Sequence, residues 1–444
     1  MFSVGSVLLL AACAPDASVD APSGTLSLAV GAEMPSYVEA TWTSDADTRT
    51  RLELASPDGP VLVTDWQDGA EATALPVLGL WAGDTFTATL VDEAGHVLTT
   101  EAVTTGAGVD ALGALHPEGA ATWTGYLATA LVEPGISVAL LLAPNGRAVW
   151  NMEIPGAPIL RVLPRADGLG MWALLWSGEV GQAPGRLVSY AWDGSLLADL
   201  TPAGNAGEGL THDFIARPDD TLLFLGTDTR TVDGTAVVGD AVFRMAVDGA
   251  GEEKLWSAWD SFSPAADLAD PTTWTHANTL RWSADSGTAF VGLRGLSTLV
   301  ELDGESWAPV HIIGSERSDL VFIGEGELFH EQHGFDVRGN RVALHDNRSA
   351  ADGTRIAVYD LDREGGTVQE AWEFLPDPAL FDYVLGDATW VDDDTLLANW
   401  STSGLLDERH LDGSSPWALT LDLGRVFGYS ALVPALPGST PAFP

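Results

Sequence analysis

Between residues 123 and 437 one pattern returns at intervals of about 45 to 60 residues: a short strand, a polar turn, an apolar strand, and a closing pair shaped like L-x-x-x-D-G-x-x-x-x-x-W. The units start near Ala130, Ile159, Leu210, Thr275, Glu331 and Tyr383, with segments such as "ALLLAPNGRAVWNM", "SYAWDGSLLADL" and "VELDGESWAPV". A unit of four short strands cannot bury both of its faces alone, so successive units must stack on one another. Six of them predict a six-bladed β-propeller. The 48 glycines, 25 prolines and 17 tryptophans suit many short strands joined by tight turns.

The chain ahead of the repeats reads differently. Residues 1–13 resemble a lipoprotein signal peptide: the apolar run Phe2 to Ala12 ends in Leu10-Ala11-Ala12-Cys13, like the lipobox of bacterial lipoproteins, in which the cysteine is acylated. Cys13 is the only cysteine, so disulfides are excluded if it carries lipid, and no Lys or Arg precedes it. A small polar tether, 14–22, leads into 23–105, where "TLSLAV", "YVEATWT", "TRLELAS", "PVLVTDW", "TFTATLVD" and "VLTTEAVTT" alternate at even spacing. This predicts a small immunoglobulin/fibronectin III-like β-sandwich, followed by a Gly/Ala-rich linker at 106–122. Residues 438–444 read as a tail. The expected fold class is all-β, with the sandwich preceding the propeller. The expected location is the cell envelope, lipid-anchored in the periplasm, at the outer membrane or at the cell surface, with simple secretion as the alternative.

Charge narrows the partners. Sixty-three acids against 20 bases give a formal net charge of −43, and Lys254 is the only lysine. Nucleic acid and anionic membrane surfaces are therefore poor partners for the bulk of this surface, and no nucleic acid is expected. The acids are scattered through turns, as expected of a solvated face.

Against that background the histidines stand out. The first strand of each propeller blade lines the central channel, and successive units open with "THDF" (His212), "THAN" (His276, Asn278), "QHGF" (His333) and "GDATW" (Asp387). Three histidines share one register, 64 and then 57 residues apart. The second strands add Arg294, Asp346, Asn347 and Asn399. A lone arginine beside imidazoles and amides forms a local positive pocket that suits an anionic group. His330, three positions before His333, belongs on the opposite face of a strand, and H-E-Q-H is one residue short of the helical zinc motif. His330, His345, His96, His116, His311 and His410 read as scaffold. Trp176 and Trp400 are candidates for stacking on an aryl group.

The motifs "THDF…PDDTLLFL", "WTHANTLRW…AFVGLRGLSTLVELD" and "EQHGFDV…NRVALHDN" resemble the bacterial arylsulfotransferase family over most of 123–437. The resemblance implies sulfuryl transfer from an aryl sulfate ester to a phenolic acceptor without a nucleotide. It implies His333 as the nucleophile that becomes sulfohistidine, with His212, His276 and Arg294 as catalytic partners. Asn278 falls at a sulfate-binding position, and Asn347, Asp346 and Asp387 read as further pocket wall. No cofactor or metal is implied, and no G-x-x-x-x-G-K-[ST] loop is present to cradle a nucleotide. A homodimer is allowed for. This chain departs from the family in lacking a cysteine pair and in having Thr211-His212-Asp213 where the family often has His-His-Asp. Two alternatives stay open: a non-catalytic surface propeller that binds a sulfated or anionic ligand, and a metal-dependent lyase or hydrolase using the three histidines. Arg294 disfavours the latter, because a fixed cation repels a metal ion.

Overall fold

The computed structural model describes residues 22–442 except 46–47, 69–70, 134, 177–184, 203–208, 266–267, 269 and 315–316, so Cys13 and the lipobox lie outside the described residues. Strands dominate the described residues, with four 3-10 turns among them. The sheets are antiparallel apart from one short parallel pair, Val321–Phe322 with Thr367–Phe374.

Residues 24–104 form two sheets. Gly24–Val30, Val38–Ser44 and Glu71–Val77 make one. Thr50–Ser56, Gly59–Thr64, Thr85–Asp92 and Val97–Thr104 make the other. Val38, Ala40 and Trp42 alternate inward along their strand and meet Leu52, Leu54, Phe86, Ala88 and Leu90 of the second sheet. This is the period of two expected of strands with one wet face.

Further along the chain lie antiparallel meanders, here called sheets I to VI. Sheet I holds Tyr126–Glu133, Ile136–Leu142 and Ala148–Pro155. Sheet II holds Ile159–Pro164, Gly170–Leu175, Arg186–Ala191 and Leu196–Leu200. Sheet III holds Leu210–Ala216, Thr221–Val232, Thr235–Ala246 and Glu253–Ser257. Sheet IV holds Ala277–Ser283, Thr288–Leu293, Thr298–Asp303 and Pro309–Gly314. Sheet V holds Phe335–Arg338, Arg341–Asp346, Arg355–Asp362 and Thr367–Phe374. Sheet VI holds Asp387–Trp390, Thr395–Trp400, Leu405–His410 and Trp417–Leu421.

The second strands of sheets I, II, IV and VI are buried on both faces over nearly their whole length and read as largely apolar runs, and in sheet III the run Leu222–Leu225 is buried in the same way. In sheet III, Leu222 and Phe224 face sheet II while Leu223 and Leu225 face sheet IV. Sheets IV and V share Phe290, Leu299, Phe335 and Leu344; sheets V and VI share Ala343, Ile356, Leu396 and Trp400. Leu131 and Leu140 of sheet I pack with Leu397 and Leu406 of sheet VI, while Ala128 and Leu141 pack with Val162 and Ala173 of sheet II. The same apolar cluster continues into the N-terminal sheets.

The fourth strands of sheets II and V are more exposed than the strands inside them and alternate in exposure. The Asp-Gly pairs before the fourth strands of sheets II, III and VI are turns: the carboxylates of Asp193, Asp248 and Asp412 accept the N–H two residues on, and Gly194, Gly249 and Gly413 have φ of +90°, +84° and +90°. Only glycine takes that conformation without strain.

Segments before sheet I and after sheet VI return to these sheets. Val426–Phe427 and Ala431–Val433 flank Tyr126–Glu133 of sheet I, and Leu115–Gly119, expected within a linker, is the outer strand of sheet VI. Ser439–Pro441, expected within a tail, pairs with Gly59–Thr64. No described helix is long and apolar enough to cross a membrane.

Candidate functional site

The first strands of sheets II to VI and the returning segment at 429–430 meet in one buried polar network. Arg161 of sheet II ion-pairs with Asp213 of sheet III and lies 3.4 Å from Asp387 of sheet VI. Arg281 of sheet IV donates to Asp213 at 2.9 Å and to both oxygens of Asp387 at 3.0 Å. Ser430 N–H donates to Asp387, and Tyr429 stacks under the Arg161 guanidinium while its hydroxyl donates to Asn278 O. Asp336 of sheet V accepts from Trp390 N–H, and burial pushes its carboxyl up to about 6.

Asp387 therefore corrects the expectation of a pocket wall. It is fully buried and its oxygens are taken by two arginines, so it serves the scaffold.

The histidine trio sits where the first strands begin. His212 is the third residue of the strand Leu210–Ala216, His276 directly precedes Ala277–Ser283, and His333 precedes Phe335–Arg338. The rings of His212 and His276 are 5.0 Å apart between centroids. Arg294, at the end of the second strand of sheet IV, acts electrostatically on all three imidazoles. Burial is the main cause of their low proton affinity: His212 falls to about 4 and His276 to about 3, with the Arg294 charge adding to both. His333, 2 % exposed, is also held well below the usual imidazole range by burial, against a smaller opposing effect from Asn347. The trio is thus neutral at physiological pH.

Hydrogen bonding fixes the tautomer of His333. Asn347 donates its amide N–H groups to the carbonyls of Asp382 (2.7 Å) and Leu385 (3.2 Å), which turns its oxygen toward His333 Nδ1 at 2.7 Å. Nδ1 must then carry the proton, and Nε2 keeps its lone pair. The backbone is pinned as well: His333 N–H donates to His345 O, Gly334 N–H to Gly386 O, and Asn278 Nδ2 to Gln332 O at 2.7 Å. Asn278 is itself fully buried, so it positions His333 and has no surface to offer a ligand as the structure stands.

Other groups orient His276 and Arg294. His276 has φ +45°, a strained value for a residue with a side chain. Asp240 Oδ2 clamps it from both sides, accepting Thr275 Oγ1 at 2.6 Å and Ala277 N–H at 2.8 Å. Arg294 N–H donates to His276 O, and Gly295 N–H to Thr275 O. A Cβ on Gly295 would come within 2.6 Å of the Trp274 carbonyl, so that turn needs glycine. Among the described residues, Nδ1 of His212, Nδ1 of His276 and Nε of Arg294 are buried with no hydrogen-bond partner. Three unsatisfied polar atoms in one cluster are an uncommon feature of a folded protein unless a ligand or water completes them.

Two further expectations are corrected. Asp346 faces away from the trio, accepting from Arg355 at 2.9 Å and from His330 N–H at 2.8 Å. Trp400 is fully buried, bonded to Asp407 and packed on His345 and Phe374, so it cannot stack on a ligand. His345 is buried 3.2 Å from Asp382, while His330 is exposed. Asn399 also spends its amide on a backbone carbonyl, that of Gly428. Sequence reasoning missed Asp240 and Glu331. Glu331 ion-pairs with Arg294, and its place two residues before His333 was the available signal. Among the described residues no group of three or more His, Cys, Asp or Glu is arranged to hold a metal ion.

No family model matches the chain, and no curated protein matches it. Solved structures align with it at low identity. The nidogen/laminin complex is 11% identical, with a TM-score of 0.43 over 68% of this chain and 98% of that one. The luciferin-regenerating enzyme is 11% identical, with a TM-score of 0.38 over 71% and 97%. Dihydro-heme d1 dehydrogenase is 13% identical, with a TM-score of 0.39 over 78% and 73%. These values assign neither a family nor an activity to the chain.

Proposed function

We propose that sheets I to VI are the blades of a six-bladed β-propeller behind an immunoglobulin-like sandwich, and that the protein moves a sulfuryl group from an aryl sulfate ester to a phenol through His333. The cyclic order of the apolar clusters supports the six blades, since each lies between neighbouring sheets and one joins sheet VI to sheet I. The observation that carries the activity is the locked tautomer of His333 beside three unsatisfied polar atoms of His212, His276 and Arg294.

In the first half-reaction the Nε2 lone pair attacks sulfur, the sulfur–oxygen bond to the aryl group breaks, and the phenolate leaves and takes up a proton. In the second, the acceptor phenol oxygen attacks the same sulfur, the nitrogen–sulfur bond breaks, the phenolic proton is released, and His333 regains its lone pair. Splitting the transfer replaces one difficult step with two easier ones. Arg294 and the unsatisfied ring nitrogens are suited to the sulfuryl oxygens, whose charge they meet away from bulk water. The acylated Cys13 proposed from the lipobox would hold this domain at the cell envelope.

The test is transfer itself. The purified protein with 4-nitrophenyl sulfate and a second phenol, and no nucleotide, should release nitrophenol and sulfate the acceptor, with ping-pong kinetics. His333→Ala should lower turnover by at least about 1,000-fold. Binding of the ester with no transfer would favour a ligand-binding role, and activity restored only by zinc or copper would favour the metal-dependent reading.

A further inference from the structure

The ion pair between Arg294 and Glu331 is unexplained by a simple anion pocket. The pocket's only described cation within reach of the trio carries a carboxylate on one arm, with the Arg294 side chain 25% exposed and that of Glu331 39%. Glu331 does not meet Arg294 by chance rotation of a surface side chain. It has φ +55°, and its N–H donates to Ser297 Oγ at 3.1 Å. Ser297 N–H in turn donates to Arg294 O, so the two partners are tied to one turn. A site built only to attract negative charge gains nothing from a fixed carboxylate beside its guanidinium.

We infer that Glu331 is a specificity-determining residue that restricts this pocket to monoanionic sulfate esters and rejects phosphate monoesters of the same shape. The inference rests on the anion-pocket reading above and adds to it the choice between two tetrahedral oxyanions. With the three imidazoles neutral, the charges of Arg294 and Glu331 cancel one another. Nε of Arg294 is still unpaired and can hold one sulfuryl oxygen while Glu331 stays on the other arm. A sulfate ester brings a single negative charge. A phosphate monoester brings close to two at neutral pH, its second ionisation lying near 6. Its second charge meets Glu331 with no further cation to offset it. The other groups that act on the trio are His212, His276 and Arg294 themselves, Asp270 beside His276, and His345 behind His333. His212 and His276 stay neutral down to about pH 4 and so do not disturb a comparison made above that.

The test uses the full chain and two ligands that share one aryl group, 4-nitrophenyl sulfate and 4-nitrophenyl phosphate, with affinity measured by calorimetry. In the wild-type protein at pH 7.5 the sulfate ester should bind at least about 10-fold tighter than the phosphate ester. Lowering the pH to 5 should improve phosphate ester binding at least about 5-fold and leave sulfate ester binding unchanged, because the phosphate ester takes up a proton over this range and the sulfate ester does not. Glu331→Gln should remove at least about 10-fold of the discrimination, and Glu331→Asp should keep most of it. If the wild-type protein binds the sulfate ester but shows no preference and no pH effect, the assignment of Glu331 falls and the anion pocket stands. The same holds if Glu331→Gln leaves the ratio unchanged. If neither ester binds to either protein, the anion pocket falls and this inference with it.

Discussion

Asn347 decides which nitrogen of His333 can react. Its amide is committed to the carbonyls of Asp382 and Leu385, so its oxygen must accept from Nδ1 and the lone pair is left on Nε2. Burial then keeps that lone pair free of a proton: an ordinary imidazole near 6.5 would be roughly 97% protonated at pH 5, whereas His212 titrates at about 4, His276 at about 3, and His333 well below its usual range. The rate of sulfuryl transfer at pH 5 should therefore stay within about twofold of that at pH 7 and fall only toward pH 4. A drop of about 10-fold or more between pH 7 and 5.5 would contradict a neutral trio. Linkage runs in the matching direction. With folded values below the unfolded one, the unfolded chain takes up protons first, so these histidines lower stability as pH falls from 6.5 toward 4. His212, His276 and His333 were legible in the sequence because they recur at one register. Asp387 was misread because a buried ion pair drawn from separate sheets leaves no local pattern to distinguish it from a pocket wall, and Asp346 because its partner, Arg355, sits opposite it on the next strand of sheet V.

At the scale of the element, the turns before the first strands and after the second strands are what bring the residues together. The His276 turn depends on Asp240, which holds both Thr275 and Ala277 while the residue between them sits at positive φ. Asp240→Leu leaves a hydroxyl and an N–H without their buried acceptor, at a cost of about 1–3 kcal/mol for each group. It should reduce transfer by at least about 10-fold, with kcat affected more than KM and with the protein still folded by near-ultraviolet circular dichroism. Unchanged kcat would show that the orientation of His276 is irrelevant. The sheet starts were legible because most second strands carry an apolar run buried on both faces. Leu115–Gly119 and Ser439–Pro441 were not, because their partners lie some 300 or more residues away and the segments themselves are short and polar.

At the scale of the whole molecule, the segment that follows sheet VI ties separate sheets together. The segment from Val426 supplies two strands to sheet I, Tyr429 and Ser430 to the central ion network, and Ser439–Pro441 to the N-terminal sheets. Arg281 is the member of that network with the most carboxylate contacts, and Asp213 and Asp387 around it are fully buried. Arg281→Met leaves those carboxylates with Arg161 alone, and should destabilise the protein by about 3–5 kcal/mol. A thermal or denaturant melt checks this, and a loss below about 1 kcal/mol would mean the network contributes little. Arg161, Arg281 and Asp336 were invisible in the sequence for the same reason as Asp387: each is one charge in its own strand, and only the closing of the sheets makes them neighbours.

The most direct measurement is the covalent state of His333. After the protein is mixed with an aryl sulfate in the absence of acceptor and digested under mildly alkaline conditions, the peptide spanning His333 should carry one added sulfuryl group on the imidazole. The group should vanish when a phenol is supplied and never appear in His333→Ala. An unmodified peptide from protein that is transferring sulfate, or the group on another residue, would contradict the account.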